Sequence, residues 1–119
     1  MKLFVAIIFA ASLLAGIGCH SKPRTTSAEL RAKHPDWPLT VNAAVTKILA
    51  GMSEANKASV RAKRKHDLIE YHHGWGTGIR NELGLWSGNN SLMTDCHADH
   101  PDGASMVIIE AVWERLQTQ

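Results

Sequence analysis

The sequence predicts an all-α fold: a small single domain of four or five short helices packed around a central, glycine-containing helix. Three stretches of the chain carry apolar residues at helical spacing, which is the main signal for amphipathic helices. Residues typical of helix starts and turns separate these stretches. The chain has 119 residues, a length that favours one domain.

The first 18 residues have the features of a secretory signal peptide. Lys2 precedes an apolar run over residues 3–15, and the small residues Gly16 and Gly18 follow it. The run is shorter than the roughly 20 residues that a membrane-spanning helix needs. Cys19 ends this segment in the context Gly-Ile-Gly-Cys, which resembles the bacterial lipobox. The resemblance implies a lipid on Cys19 and anchorage in the membrane.

The location follows from the residue after the cysteine. An aspartate directly after the cysteine would resemble an inner-membrane retention signal, but this chain has His20 there. We therefore expect an outer-membrane lipoprotein facing the periplasm. The alternative is a protein secreted to the periplasm without lipid. With Cys19 acylated, Cys96 has no partner for a disulfide bond within the chain.

Residues 19–36 are expected to form the lipid-attachment cysteine and a flexible tether, because they show no sustained apolar period. The whole chain has 13 Lys and Arg against 11 Asp and Glu, a net charge of +2. This near-balance argues against a nucleic-acid partner, since nucleic-acid-binding domains are usually strongly basic.

The helical domain is expected over residues 37–117. Thr40 is a suitable N-cap for an amphipathic helix over residues 41–51, and Ser53 for a short polar helix over residues 54–62. Asp67 then starts the central helix, predicted over residues 67–83. Its apolar side is formed by Leu68, Tyr71, His72, Trp75, Ile79 and Leu83.

Three glycines, Gly74, Gly76 and Gly78, weaken the central helix by about 1 kcal/mol each relative to alanine. We therefore expect another backbone or a bulky side chain to approach closely there. Gly84 stands where a helix end favours a left-handed residue, with Leu85 as the hydrophobic contact of that cap. Trp86 is expected to fold back onto the core.

Two further helices are predicted near the C terminus. Asn89 or Asn90 can cap a short helix over residues 91–96, and His100-Pro101-Asp102 introduces the last helix. Its buried face is predicted to consist of Ser105, Ile108, Ile109, Val112, Trp113 and Leu116.

The candidate binding residues are polar side chains that come together if the central helix meets the last helix. They are Arg80, Asn81, Asp102, Ser105 and His72. If the end of the central helix lies against the start of the last one, Asp102 lies near Arg80 and Ser105 one turn further on. The patch then either binds a partner or locks the fold through an internal Arg–Asp pair.

Two kinds of chemical site are alternatives to this patch. A zinc site is favoured by the residue types of His66, His72, His73, Cys96, His97 and His100. Their spacing contains no metal-binding motif, so no metal or other cofactor is expected. A Cys/His hydrolase needs Cys96 as nucleophile, His72 or His97 as base and Asp95 or Asp99 to orient that base, and no sequence signature supports it.

The motifs together resemble a bacterial domain family of unknown function. The matching pieces are Trp37-Pro38, the run HxGxGxxIRNxxGLW from His72 to Trp86, HPDxxS from His100 to Ser105, and WxxL from Trp113 to Leu116. The resemblance implies a small helical domain, often behind an export signal, and carries no activity. We expect an exported, non-enzymatic lipoprotein that binds a protein or cell-wall partner; the alternative is a small periplasmic metal-dependent or Cys/His hydrolase.

Overall fold

The described part of the chain contains six α-helices and one 3₁₀ helix. The computed structural model describes residue 18 and residues 24–119, so Cys19 and nearly all of the predicted signal peptide lie outside it. The elements are α1 (Ser27–Lys33), α2 (Val41–Gly51), α3 (Glu54–Ala62), a 3₁₀ helix (Lys65–Tyr71), α4 (Trp75–Glu82), α5 (Asn90–Asp95) and α6 (Pro101–Gln117). The described residues form helices and no strands, which confirms the all-α prediction.

The predicted helix starts are confirmed where side chains cap them. The Thr40 hydroxyl accepts from the backbone N–H of Ala43 at 3.1 Å, and the Ser53 hydroxyl accepts from that of Asn56 at 3.1 Å. These bonds satisfy N–H groups that the first turn of a helix otherwise leaves without a partner. The bounds of α2 and α3 are those expected from the sequence.

Helix α6 is the element on which the others pack. Helices α2, α3 and α4 and the 3₁₀ helix all lie against it. Five of its six predicted core residues are fully buried, and Trp113 is half-buried with its indole N–H donating to the carbonyl of Lys63 at 2.8 Å. The apolar face of α6, the longest helix among the described residues, therefore forms the middle of the domain.

The helix expected over residues 67–83 is instead two helices. A 3₁₀ helix ends at Tyr71, a turn covers residues 72–74, and α4 begins at Trp75. Gly74, at the N-cap of α4, has φ −90° and ψ −88°, outside the helical region. Because the three alternate glycines have low helix propensity, breaking the helix here costs little free energy. Packing on α6 determines where the break occurs.

The turn after α4 confirms one prediction and overturns another. Gly84 has φ +71° and Leu85 is buried, and the Leu85 N–H donates to the Arg80 carbonyl at 3.0 Å, as in a Schellman cap. The prediction that Trp86 folds back onto the core is wrong. Its side chain is 55% exposed and lies edge-on to the ring of His100. Leu85 occupies the inward position of the turn, so the next side chain points outward.

The segment expected to be a flexible tether contains α1. Thr26 and Glu29 form a capping box, in which the Thr26 hydroxyl accepts from the Glu29 N–H and the Glu29 carboxylate accepts from the Thr26 N–H. One apolar residue, Leu30, contacts the domain at Gly88. The helix has too short an apolar stripe for periodicity to reveal it. Among the described residues, no helix is long and apolar enough to cross a membrane.

Helix α5 ends in the same kind of cap, with a histidine in the glycine position. His97 has φ +50°, the Ala98 N–H donates to the Met93 carbonyl at 3.3 Å, and the His97 N–H donates to that of Thr94 at 3.0 Å. A side chain in the left-handed region is strained. We expect His97→Gly to raise the free energy of unfolding by about 0.5–1 kcal/mol. Urea denaturation measures this, and an unchanged or lower stability contradicts it.

Candidate functional site: the Arg80 network and the Trp75 groove

Arg80 is buried between α4 and α6, with 5% of its surface exposed. Its Nη1 donates to the Ser105 hydroxyl at 2.9 Å, and its Nη2 donates to the His72 carbonyl at 3.1 Å and to the Thr77 hydroxyl at 2.9 Å. Its Nε lies 3.3 Å from Oδ1 of Asp102. All three guanidinium nitrogens are engaged inside the domain, which a buried charge requires.

Gly76 makes room for this arginine. A Cβ atom at Gly76 would lie 3.1 Å from Arg80 Nη1 and 3.1 Å from the carbonyl oxygen of Tyr71. The close approach expected at the glycines therefore exists at Gly76, and the group that approaches is a guanidinium with its supporting backbone. Nothing lies within 4 Å of the corresponding positions at Gly74 and Gly78.

The outer end of the network reaches the surface at the start of α6. The Asp102 side chain is 44% exposed, and its second carboxylate oxygen lies 3.6 Å from Nδ1 of His100. That Nδ1 also accepts from the Asp102 N–H at 3.2 Å, so His100 caps α6. The Ser105 hydroxyl donates to the Asp102 carbonyl at 2.9 Å. These bonds tie the first turn of α6 to Arg80.

Four of the five candidate residues meet, and the fifth does not. Arg80, Asp102 and Ser105 contribute side chains, and His72 contributes its carbonyl oxygen. The Nδ1 atom of His72 is buried and has no hydrogen-bond partner among residues 24–119. Asn81 follows Arg80 on α4 but is exposed, because adjacent helical residues point about 100° apart. The arrangement joins two helices and is open to solvent at the partly exposed Asp102 and the exposed Thr77.

The histidines and the buried cysteine do not form a metal centre in the part of the chain that the structure describes. Within residue 18 and residues 24–119, no three His, Cys, Asp or Glu side chains are close enough to hold one ion. His72 and His73 are neighbours in a T-shaped ring contact with centroids 4.8 Å apart, and the contact includes no third candidate ligand.

Cys96 lies in the core, with 4% of its surface exposed. Burial, together with the nearby charge of Asp95, raises the pKa of its thiol to about 11. A nucleophilic cysteine needs the opposite shift, because the thiolate is the reactive form. This environment is unsuited to the hydrolase alternative.

The raised pKa makes Cys96 resistant to thiol reagents while the domain is folded. We expect Cys96 of a Cys19→Ser chain to react at pH 8 at least 100-fold more slowly than the same thiol in 8 M urea. Because the folded-state pKa is above the unfolded one, the thiol's contribution to stability is present below about pH 8.5 and is lost as pH rises through about 11. Absorbance with a disulfide reagent measures the rate; equal rates contradict the assignment.

A groove on the other side of α4 was not predicted from the sequence. Two adjoining cavities of about 380 and 310 Å³ share Met52 and Trp75. We call this surface the Trp75 groove; its apolar wall consists of Ile48, Met52, Val60, Tyr71, Trp75, Ile79 and Leu83. Tyr71 and Trp75 meet edge-to-face with centroids 5.3 Å apart. Gly51 and Gly78 leave space beside these side chains.

The Trp75 groove has a charged rim. Lys47 is paired with Asp36 at 3.3 Å, whereas Glu82 is exposed and forms no salt bridge with any residue from 24 to 119. The sequence contained one signal for the groove: Trp75 and Gly78 are three residues apart on α4, so one helical turn places a large aromatic residue beside a residue without a side chain. The elements across from α4 were not predictable.

Comparison with known proteins gives a family and no activity. The protein-family model described as "Domain of unknown function (DUF6794)" matches residues 37–116 of the chain. No curated protein and no solved structure matches the chain. The match starts at Trp37 and covers α2 to α6 except the last residue of α6, so it includes both the Arg80 network and the Trp75 groove, and it leaves α1 outside. The match covers more than half of the chain, which therefore belongs to the family of domains of unknown function DUF6794.

Proposed function

We propose that this chain is an exported lipoprotein of the bacterial envelope, anchored through Cys19, whose helical domain binds a protein partner in the Trp75 groove. Export and anchorage rest on the apolar run before Gly-Ile-Gly-Cys. The binding role rests on one observation: the domain keeps a half-buried tryptophan in an open apolar groove. Aromatic residues that line such grooves supply much of the binding energy at interfaces.

The two sides of α4 support a division between framework and contact surface. Gly76 and Arg80 face α6 and hold the domain together, whereas Trp75, Gly78 and Glu82 face the groove. The proposed signature run from His72 to Trp86 therefore contains residues of both kinds. Since the arginine donors are used internally, the groove is the better candidate for contacting another molecule.

The occupant that fits this groove is a peptide segment with apolar side chains and one lysine or arginine. The apolar wall favours burial of aliphatic or aromatic groups, at roughly 25 cal/mol per Å² of apolar surface removed from water. On the rim, Lys47 is already neutralised by Asp36, and Glu82 has no cation of its own among residues 24–119. A basic residue of the partner next to Glu82 would give electrostatic complementarity.

Selection of peptides from a displayed random library against the purified protein tests the groove. We expect the selected peptides to combine apolar residues with Lys or Arg, and their affinity to fall at least tenfold on Met52→Glu. Val107→Glu is the matched control, because Val107 is 38% exposed on α6 and lines neither cavity of the groove. Binding that survives Met52→Glu, or binding to isolated cell wall with no peptide selected, rejects a protein partner in this groove.

Mass spectrometry of the protein purified from bacterial membranes tests the anchor separately. A diacylated or triacylated Cys19 as the first residue is the expected result. A chain cleaved elsewhere, or one with a free Cys19 thiol, rejects the lipoprotein assignment and leaves the groove test unaffected.

A further inference from the structure

Helix α1 and the residues that follow it contact the domain at Gly88 and at Trp37. Its Leu30 side chain covers Gly88, where a Cβ atom would come within 2.7 Å of Leu30 Cδ1. At its end, the His34 ring stacks on Trp37 with centroids 4.0 Å apart and an angle of 5°. The space left between α1 and the domain is about 20 Å³, room for about one water molecule. These two contacts place α1 against the domain.

This contact shortens the link between the proposed lipid and the folded part of the chain. From Cys19 to the N-cap Thr26 is seven residues, which extend to about 25 Å at most. A tether that continued to Trp37 would reach about 60 Å. The side of the domain that carries α1 is consequently held near the bilayer surface.

The side chains at this surface suit an anionic membrane. Arg24, Arg31 and Lys33 are exposed, and none forms a salt bridge within residues 24–119. The nearby Glu29 carboxylate is occupied by the capping box: hydrogen bonds from the Thr26 backbone and side chain lower its pKa, with a smaller effect from Lys33.

The turn that contains Gly88 also carries an exposed aromatic side chain. Trp86 is 55% exposed and stands two residues from Gly88, which Leu30 covers. Tryptophan favours the headgroup region of a bilayer.

We propose that α1 and the adjoining turn at Trp86 form a membrane-contact surface for anionic lipid headgroups, which orients the domain on the bilayer. This deepens the proposed function and rests on anchorage at Cys19. Each basic residue close to an anionic surface favours contact by about fivefold, so three together favour it by about 100-fold. Because α1 packs on the domain, contact of α1 with lipid also fixes the direction in which the Trp75 groove opens.

Amide hydrogen exchange of the reconstituted protein tests the contact. The protein is placed in vesicles of phosphatidylethanolamine with either phosphatidylglycerol or phosphatidylcholine, and exchange is followed over residues 27–33. We expect exchange at least tenfold slower with phosphatidylglycerol, with the difference lost at 0.5 M salt because screening removes surface attraction.

Paired charge variants assign the effect to α1. Arg31→Gln with Lys33→Gln is expected to abolish the difference between the two vesicles. Lys57→Gln with Arg64→Gln removes the same charge from other parts of the surface and is expected to preserve it. Equal exchange in both vesicles, or equal losses in both double variants, overturns the proposal.

Failure of the anchor and failure of the membrane contact give different results. If mass spectrometry finds a free Cys19 thiol, the lipoprotein assignment fails, and coupling that thiol to a maleimide lipid supplies the anchor for the exchange experiment. Cys96 does not compete, since burial raises the pKa of its thiol to about 11. An acylated Cys19 with no slowing over α1 rejects the contact surface alone.

Discussion

Replacing Gly84 with alanine is expected to lower the free energy of unfolding by about 3 kcal/mol. Two effects add. At φ +71° a side chain adds about 1–2 kcal/mol of backbone strain. The new Cβ would also lie 2.3 Å from Cε2 of Trp37, so the indole must move away from the turn that it covers. That movement disrupts the stack with His34 as well.

Gly78→Ala is the matched control for Gly84→Ala. Gly78 lies inside α4, and nothing is within 4 Å of its Cβ position. Alanine there is expected to stabilise the domain by about 0.5–1 kcal/mol, because glycine is the poorer helix former. Urea denaturation of both variants, followed by circular dichroism, measures the two changes. A Gly84→Ala loss no larger than 1 kcal/mol would show that Trp37 does not pack on this turn as described.

Replacing Arg80 with methionine is expected to lower the free energy of unfolding by about 2–3 kcal/mol. Methionine keeps most of the volume but removes donors to the Ser105 hydroxyl and the His72 carbonyl. Breaking a fully buried ion pair costs about 3–5 kcal/mol. The loss here is smaller because the Asp102 side chain is 44% exposed and water can solvate it.

Asn81→Ala is the control for Arg80→Met, since Asn81 is the next residue on α4 and is exposed. Its stability is expected to stay within about 0.5 kcal/mol of the parent chain. Peptide binding in the Trp75 groove gives a second readout. Once both variants are compared at a temperature where they are folded, neither is expected to change it. A loss of binding in a folded Arg80→Met protein would show that Arg80 contributes to the contact with the peptide.

Local signals in the sequence predicted much of the fold. The caps Thr40, Ser53 and Gly84 act through groups within four residues along the chain, so their roles follow from short-range geometry. The buried stripe of α6 follows from helical periodicity, which needs only a long apolar face. The meeting of Arg80 with Asp102 was expected from placing one helix end against the next helix start, and the structure contains it.

Other features depended on contacts between residues far apart in the chain. Trp86 points outward because Leu85 takes the inward position, a choice between neighbours that hydrophobicity does not make. Leu30 of α1 contacts Gly88, fifty-eight residues further along the chain. The break at Gly74 depended on how the 3₁₀ helix and α4 each pack on α6.

The sequence alone determined that this protein is all-α, where α2, α3 and α6 begin, and which face of α6 is buried, because capping and periodicity are encoded within a few neighbouring residues. Tertiary structure decided that the Arg80 guanidinium forms hydrogen bonds inside the domain and that Trp75 lines an open groove. Both outcomes depend on which helices meet across the domain, and helix–helix geometry is set by the packing of many side chains at once.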